Sequence, residues 1–126
     1  MLDRIDLHVE VPRLPYDKLT SEKVAEESAL IRSRVETARA LQKERFGEKR
    51  IFTNAEMGVK DLKEFCKVDA RGDTLLRDAV DRMKLSGRSY HHILKVARTI
   101  ADLAESPGIT VDHLGEAIQY RRREGV

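Results

Sequence analysis

A helical repeat of apolar residues near the middle of the chain constrains its fold more than any other feature. In the stretch from Ser86 to Leu103 and on to Ala104, the residues Ile93, Ala97, Ile100 and Ala104 recur at i, i+4, i+7 and i+11. That is the rhythm of one buried face of an α-helix. A second stripe of the same helix, formed by Arg88, His91, Lys95, Arg98 and Asp102, is polar. Arg88 falls in the first turn, directly after the Ser86-Gly87 pair. There the positive end of the helix dipole adds to the charge of the guanidinium, and the arginine is placed to reach an anion.

The same rhythm recurs along the chain. Thr20 or Ser21 caps a predicted long helix running to about Phe46, with Val24, Ile31, Val35, Ala38 and Leu41 on its apolar face and Gly47 as its stop. Its opposite face, dense in Glu, Lys and Arg, reads as solvated. A short helix from about Gly58 to Cys66 carries Val59, Leu62, Phe65 and Cys66 inward. Another from about Asp73 to Leu85 has Leu75, Leu76, Ala79, Val80 and Met83 as its core face. The central helix ends before Pro107-Gly108, and a last helix starting at Thr110 carries Val111, Leu114, Ala117 and Ile118. Only Ile5-Asp6-Leu7-His8-Val9-Glu10-Val11 alternates as a half-buried strand does. Pro12-Arg13-Leu14-Pro15 then breaks regular structure. The pattern predicts an all-α fold, a bundle of about five helices behind an N-terminal strand-like arm. A lone strand leaves its backbone donors and acceptors unpaired. The arm therefore needs neighbours from outside these residues, and the chain reads as a fragment.

Composition removes several classes of function. The chain has 126 residues, 37% of them charged and 40% hydrophobic, which suits one helical domain with a modest core. With 24 basic against 22 acidic side chains the net charge is only +2, without the basic surplus of a non-specific DNA binder. The chain holds 3 Tyr, 3 Phe and no Trp, too few aromatic rings for a base-stacking platform. The single Cys66 allows no internal disulfide and fits a reducing compartment. The chain shows neither a long apolar run nor a signal-peptide pattern, so a cytoplasmic location away from membranes is expected.

The candidate chemistry is sparse. There is no phosphate-cradling Gly-x-x-x-x-Gly-Lys-[Ser/Thr] loop, no Gly-x-Gly-x-x-Gly turn and no legible nucleophile set. His8, His91, His92 and His113 lack metal-ligand spacing, and the adjacent rings of His91 and His92 point about 100° apart on a helix. Cys66, beside Phe65, reads as a buried structural thiol. Asn54-Ala55-Glu56-Met57 reads as a turn with an N-cap, and Arg121-Arg122-Arg123 as a solvated helix end. Two further readings stay open on these residues. One is a free-standing helical DNA-binding module using Arg88, Lys95, Arg98 and the Arg121 to Arg123 tail. The other is a helical protein-interaction domain without a nucleotide role.

Four segments taken in order carry more information than any alone. Leu2-Asp3-Arg4-Ile5-Asp6-Leu7-His8-Val9-Glu10-Val11-Pro12 resembles the end of the ATPase core in magnesium-chelatase-like AAA+ proteins. Asn54-Ala55-Glu56-Met57 with Leu62-Lys63-Glu64-Phe65-Cys66, and then Leu85 through Leu103, resemble successive landmarks of that family's C-terminal domain. The likeness covers nearly the whole chain and is greatest to the bacterial competence-type members. It implies that residues 1–15 end the ATPase core and that residues 16–126 form a helical lid beside a nucleotide site. It also implies that Arg88 is the sensor-2 arginine, reaching the ATP phosphates. Arg4 would be the arginine finger, reaching the phosphate held by a neighbouring subunit. ATP and Mg²⁺ become the expected cofactors of the parent protein. The expected partners are the upstream ATPase core, neighbouring subunits of a homo-hexamer and DNA processed in competence. The fragment, lacking a phosphate-cradling loop, is expected to be inactive alone.

Overall fold

The computed structural model describes residues 27–121, together with Leu7 and Val9. Among these described residues five α-helices and one 3-10 turn follow one another: α1 (Ser28–Phe46), the 3-10 turn (Asn54–Glu56), α2 (Val59–Phe65), α3 (Ala70–Met83), α4 (Gly87–Leu103) and α5 (Val111–Gln119). The fold is all-α, and no strand occurs among the described residues. Most of the strand-like arm, and the predicted start of the first helix near Thr20, lie outside them. Leu7 and Val9 are exposed and in no regular element. Among the described residues no helix is long and apolar enough to cross a membrane.

Helix α4 is the centre of the molecule. It packs against α1, α2, α5 and the 3-10 turn, while α3 packs against α5. Its periodic face supplies Ile93, Ala97 and Ala101, all essentially without solvent exposure. The alanines on that face leave room for neighbouring elements to approach closely. Leu114 and Ala117 of α5, Leu76 of α3, Leu62 of α2 and Phe46 of α1 join that face in the core, with Leu94, Met57, Cys66 and Ile109. Phe46 and Phe65 meet edge to face with ring centroids 5.5 Å apart, joining α1 to α2.

Local chemistry sets the helix ends. Asp69 caps α3 by accepting from the Gly72 N–H at 2.8 Å, so α3 begins at Ala70, before the expected Asp73. Lys84 adopts the left-handed conformation (φ 49°) at the end of α3, and the Leu85 N–H closes the turn on the Val80 carbonyl at 3.2 Å. At α5, His113 Nδ1 accepts from the Thr110 N–H at 3.0 Å. Gly72 is where α3 meets α5: a Cβ there would stand 2.8 Å from Leu114 Cδ1 and 3.2 Å from Val68 Cβ.

Three expectations about the buried faces need correction. Ala104 is exposed, because the helix ends at Leu103 and Glu105 turns the chain away at φ 54°. Val59 is exposed although it shares a face with Leu62 and Cys66, because it opens α2 at the rim of a cleft it lines with Tyr90, His91 and Leu94. Ile31 and Val35 are exposed as well, since only Ala38, Gln42 and Phe46 of α1 are buried. Ile31 and Val35 line an open cleft opposite Ile100 and Leu103 of α4 and Glu116 of α5.

Ile93 is 1% exposed at the centre of this packing. Ile93→Ala is expected to cost about 2–5 kcal/mol, as deletions of buried aliphatic side chains do. Thermal and urea denaturation of the 126-residue chain check this, and an unchanged midpoint would contradict it.

Candidate functional site at the two ends of helix α4

At the start of α4, Ser86 is the N-cap. Its Oγ accepts from the Ser89 N–H at 3.1 Å. Arg88 follows in the first turn and is exposed, as the sequence pattern predicts. Beneath it the turn is tied down. Ser89, 1% exposed, accepts at its Oγ from Ser86 Oγ at 3.2 Å and from the Arg121 guanidinium at 3.0 Å. The same guanidinium approaches His92 Nδ1 at 3.4 Å. Arg121 is itself 1% exposed, which corrects the reading of a solvated helix end. Its side chain turns back beneath α4 to reach Ser89. Arg122 and Arg123 lie outside the described residues.

The opposite end of α4 holds a buried polar cluster. Asp102 is fully buried, and Arg45 of α1 donates to both its oxygens, at 2.9 and 2.5 Å. Asn54 Nδ2 donates to Asp102 at 2.9 Å and to Thr99 Oγ1 at 3.0 Å. Arg45 donates in turn to Asn54 Oδ1 at 3.1 Å, and the Asn54 N–H donates to Gln42 Oε1 at 2.9 Å. Arg98, one turn before Asp102, stands 3.2 Å from its carboxylate. Arg98 also donates to the Ser106 and Pro107 carbonyls at 2.9 and 3.4 Å, while its Nε is buried without a hydrogen-bond partner. Burial lowers the Arg98 pKa from its ordinary value, and Asp102 opposes that shift.

This cluster revises the sequence reading of the polar stripe. Arg88 is exposed and His91 half-buried, but Arg98 and Asp102 form the interior of the bundle. Lys95 is half-buried too, and its Nζ donates to the Ala55 carbonyl at 3.1 Å. A basic face built from Arg88, Lys95, Arg98 and Arg121 therefore loses two of its members to the core. Asn54 is buried and joins α1 to α4, whereas the sequence suggested a turn with an N-cap. The Asn54 backbone does open a 3-10 turn, but the cap that precedes it is Thr53.

The histidines are dispersed among separate tasks. His91 packs against the Tyr90 ring, His92 approaches Arg121 and His113 caps α5, while His8 lies outside the described residues. Among the described residues no group of three or more His, Cys, Asp or Glu could hold a metal ion. Cys66 is buried, as its apolar setting predicts. Burial pushes its thiol from 9.0 up to about 11, against the pull of Arg98 and Arg45 and with a small push from Asp102.

Fold and site together define a small helical domain whose central helix presents a cation at one end and a buried, ion-paired carboxylate at the other. The chain belongs to the magnesium chelatase family, matching the domain described as magnesium chelatase, subunit ChlI C-terminal, over residues 25–121. It is 42% identical to competence protein ComM of Haemophilus influenzae over 122 residues, covering 95% of this chain and 23% of that protein. It is 38% identical to the uncharacterized protein YifB of Escherichia coli, covering 95% of this chain and 23% of the relative. The Salmonella typhimurium YifB protein matches at 35% identity over the same shares of the two chains. The chain thus spans about a quarter of the length of these relatives. Arg4 lies outside the described residues, so the structure relates it to neither Arg88 nor α4.

Replacing Asp102 by Ala would leave two largely desolvated guanidinium groups facing each other. It is expected to cost about 3–5 kcal/mol, the usual effect of breaking a buried ion pair from one side. Urea denaturation checks this, and a loss under about 1 kcal/mol would place the cluster among solvated pairs. Cys66 gives a pH dependence of known sign. Its folded pKa is raised, so its contribution to stability is complete below about pH 9 and is lost as the pH rises towards about 11. Comparing the stability of the chain with that of Cys66→Ala across this interval isolates the effect; parallel curves would contradict it.

Proposed function

We propose that this chain is the C-terminal lid domain of a magnesium-chelatase-like AAA+ ATPase, and that Arg88 is its sensor-2 arginine. The observation that carries this reading is the exposed guanidinium of Arg88 in the capped first turn of α4. A first turn directs its N–H groups and the positive end of the dipole outward, so a phosphate meeting Arg88 there meets one sign of charge. Bound ATP with Mg²⁺ supplies a γ-phosphoryl group whose equatorial oxygens gather charge during transfer. The planar guanidinium stabilises such charge through two parallel donors, a geometry an ammonium lacks. In this reading the Mg²⁺ ligands and the phosphate cradle come from an ATPase core elsewhere in the parent protein.

Arg4 supplies the complementary role in this proposal. As the arginine finger at the end of the ATPase core, it acts on the nucleotide of a neighbouring subunit in a homo-hexameric ring. Residues 1–15 then end the core, and residues 16–126 are the lid. With one arginine on a lid and another from a neighbour, hydrolysis depends on lid position and on ring assembly together. The likeness to a competence protein supports a role in competence; in this proposal that role is cytoplasmic and consists in processing DNA for recombination.

The test uses the full-length protein that bears this domain. Arg88→Ala is expected to lower ATP turnover on the order of 10²-fold while leaving the domain folded; unchanged turnover would remove the sensor assignment. Arg4→Ala is expected to keep nucleotide binding and lose turnover by about 10³-fold in the assembled ring. Loss of nucleotide binding in that variant would instead make Arg4 a structural residue.

A further inference from the structure

Arg121 occupies a place that simple electrostatics does not favour. The start of a helix carries positive partial charge, and a cation is ordinarily better placed at the other end. Yet the Arg121 guanidinium is buried against the first turn of α4, with Nη2 3.0 Å from Ser89 Oγ and 3.4 Å from His92 Nδ1. A desolvated guanidinium is costly unless its bonds are specific. Its bond to Ser89 joins residues 32 apart in sequence and links the end of α5 to the beginning of α4.

The first turn of a helix is the part that frays most readily, because its N–H groups have no partners within the helix. Here it is held from two sides. From the chain before it, Ser86 caps the Ser89 N–H at 3.1 Å and its Oγ donates to the Ser89 Oγ. From the bundle beneath, Arg121 holds the same Ser89 hydroxyl. Ser89 adjoins Arg88 in sequence, and Tyr90 on its other side bonds back to the Ser86 carbonyl at 2.9 Å. Fixing Ser89 therefore fixes the backbone from which the exposed Arg88 side chain projects.

We propose that Arg121 is a positioning residue for Arg88, acting through Ser89; this rests on the sensor-2 reading of Arg88. Arg121 reaches no phosphate itself. It holds the α4 start at one angle to α5, so the Arg88 guanidinium meets its anion already oriented. Preorganisation of this kind matters because small displacements of a charge-stabilising group carry large losses in rate.

Two measurements test the proposal. The first uses the 126-residue chain, with amide hydrogen exchange in the wild type, Arg121→Met, Arg121→Lys and Ser89→Ala. Exchange at Ser89 and Tyr90 is expected to quicken about tenfold in Arg121→Met and Ser89→Ala, while Ala101 at the far end of α4 keeps its protection. Arg121→Lys, which keeps a donor, is expected to restore part of the protection. Unchanged exchange at Ser89 and Tyr90 in a folded Arg121→Met chain would overturn the tether. Should Arg121→Met fail to fold, Arg121→Lys against the wild type asks the same question, with Ser89→Ala showing the loss when the acceptor shared by Arg121 and Ser86 is removed.

The second measurement is a double-mutant cycle on ATP turnover in the full-length protein. Arg121→Met is expected to lower kcat about tenfold when Arg88 is present and to have no further effect in an Arg88→Ala background. An independent, multiplying loss in that background would make Arg121 a general structural residue and overturn the positioning role. If Arg88→Ala alone leaves turnover unchanged, the sensor-2 reading fails, and the positioning role fails with it. The exchange experiment reports on the tether separately, so the two failures remain distinguishable.

Discussion

A fully buried carboxylate, that of Asp102, organises this fold. An isolated carboxylate in the interior of a protein is among the costliest arrangements a chain can adopt, and only matched charge with complete hydrogen bonding makes it tolerable. Arg45, Arg98 and Asn54 meet that demand from three directions: the end of α1, the preceding turn of α4 and the 3-10 turn. Each partner then carries a second duty. Arg45 and Gln42 seat Asn54, and Arg98 gathers the carbonyls of the loop leading to α5. The geometry of one end of the bundle thus follows from satisfying a single charge. Apolar packing alone would permit several arrangements of helices, whereas directional bonds to one carboxylate permit few.

The two ends of α4 divide the labour. Its C-terminal end is sealed by ion pairs, and its N-terminal end presents Arg88 to solvent above a turn held by Ser86 and Arg121. About 21 Å of helix separates the two, at 1.5 Å per residue. A helix anchored so firmly at one end transmits orientation well to the other, which suits the lid role proposed for it.

Much of this architecture was legible in the sequence. The periodic face of Ile93 and Ala97 marked α4, Gly47 marked the end of α1, and the Ser86-Gly87-Arg88 run placed an arginine in a first turn. Periodicity reports which face of a helix is apolar, and so it located the core. It does not report that a polar face is covered too, which is why Arg98 and Asp102 read only as part of a polar stripe. Their partners are remote: Arg45 lies 57 residues from Asp102 and is surrounded by other charged residues, so nothing nearby distinguishes it. Asn54 had a weak signal, an amide in a short segment likened to a family landmark, but turn chemistry explained it as well as burial did. Arg121 stood at the head of three arginines, and composition favours a solvated end there. Only tertiary contact with Ser89 separates it from its neighbours.

The spacing of the partners of Asp102 also has a consequence for how the chain folds. Arg98 is one turn away and meets the carboxylate as soon as α4 winds. Arg45 reaches it only after a loop of 57 residues closes, at an entropic cost that short-range contacts never incur. The local pair therefore carries little closure cost, while the distant one is the bond that ties α1 to α4. A chain relying on the distant arginine alone would have to close that whole loop before its carboxylate met a cation.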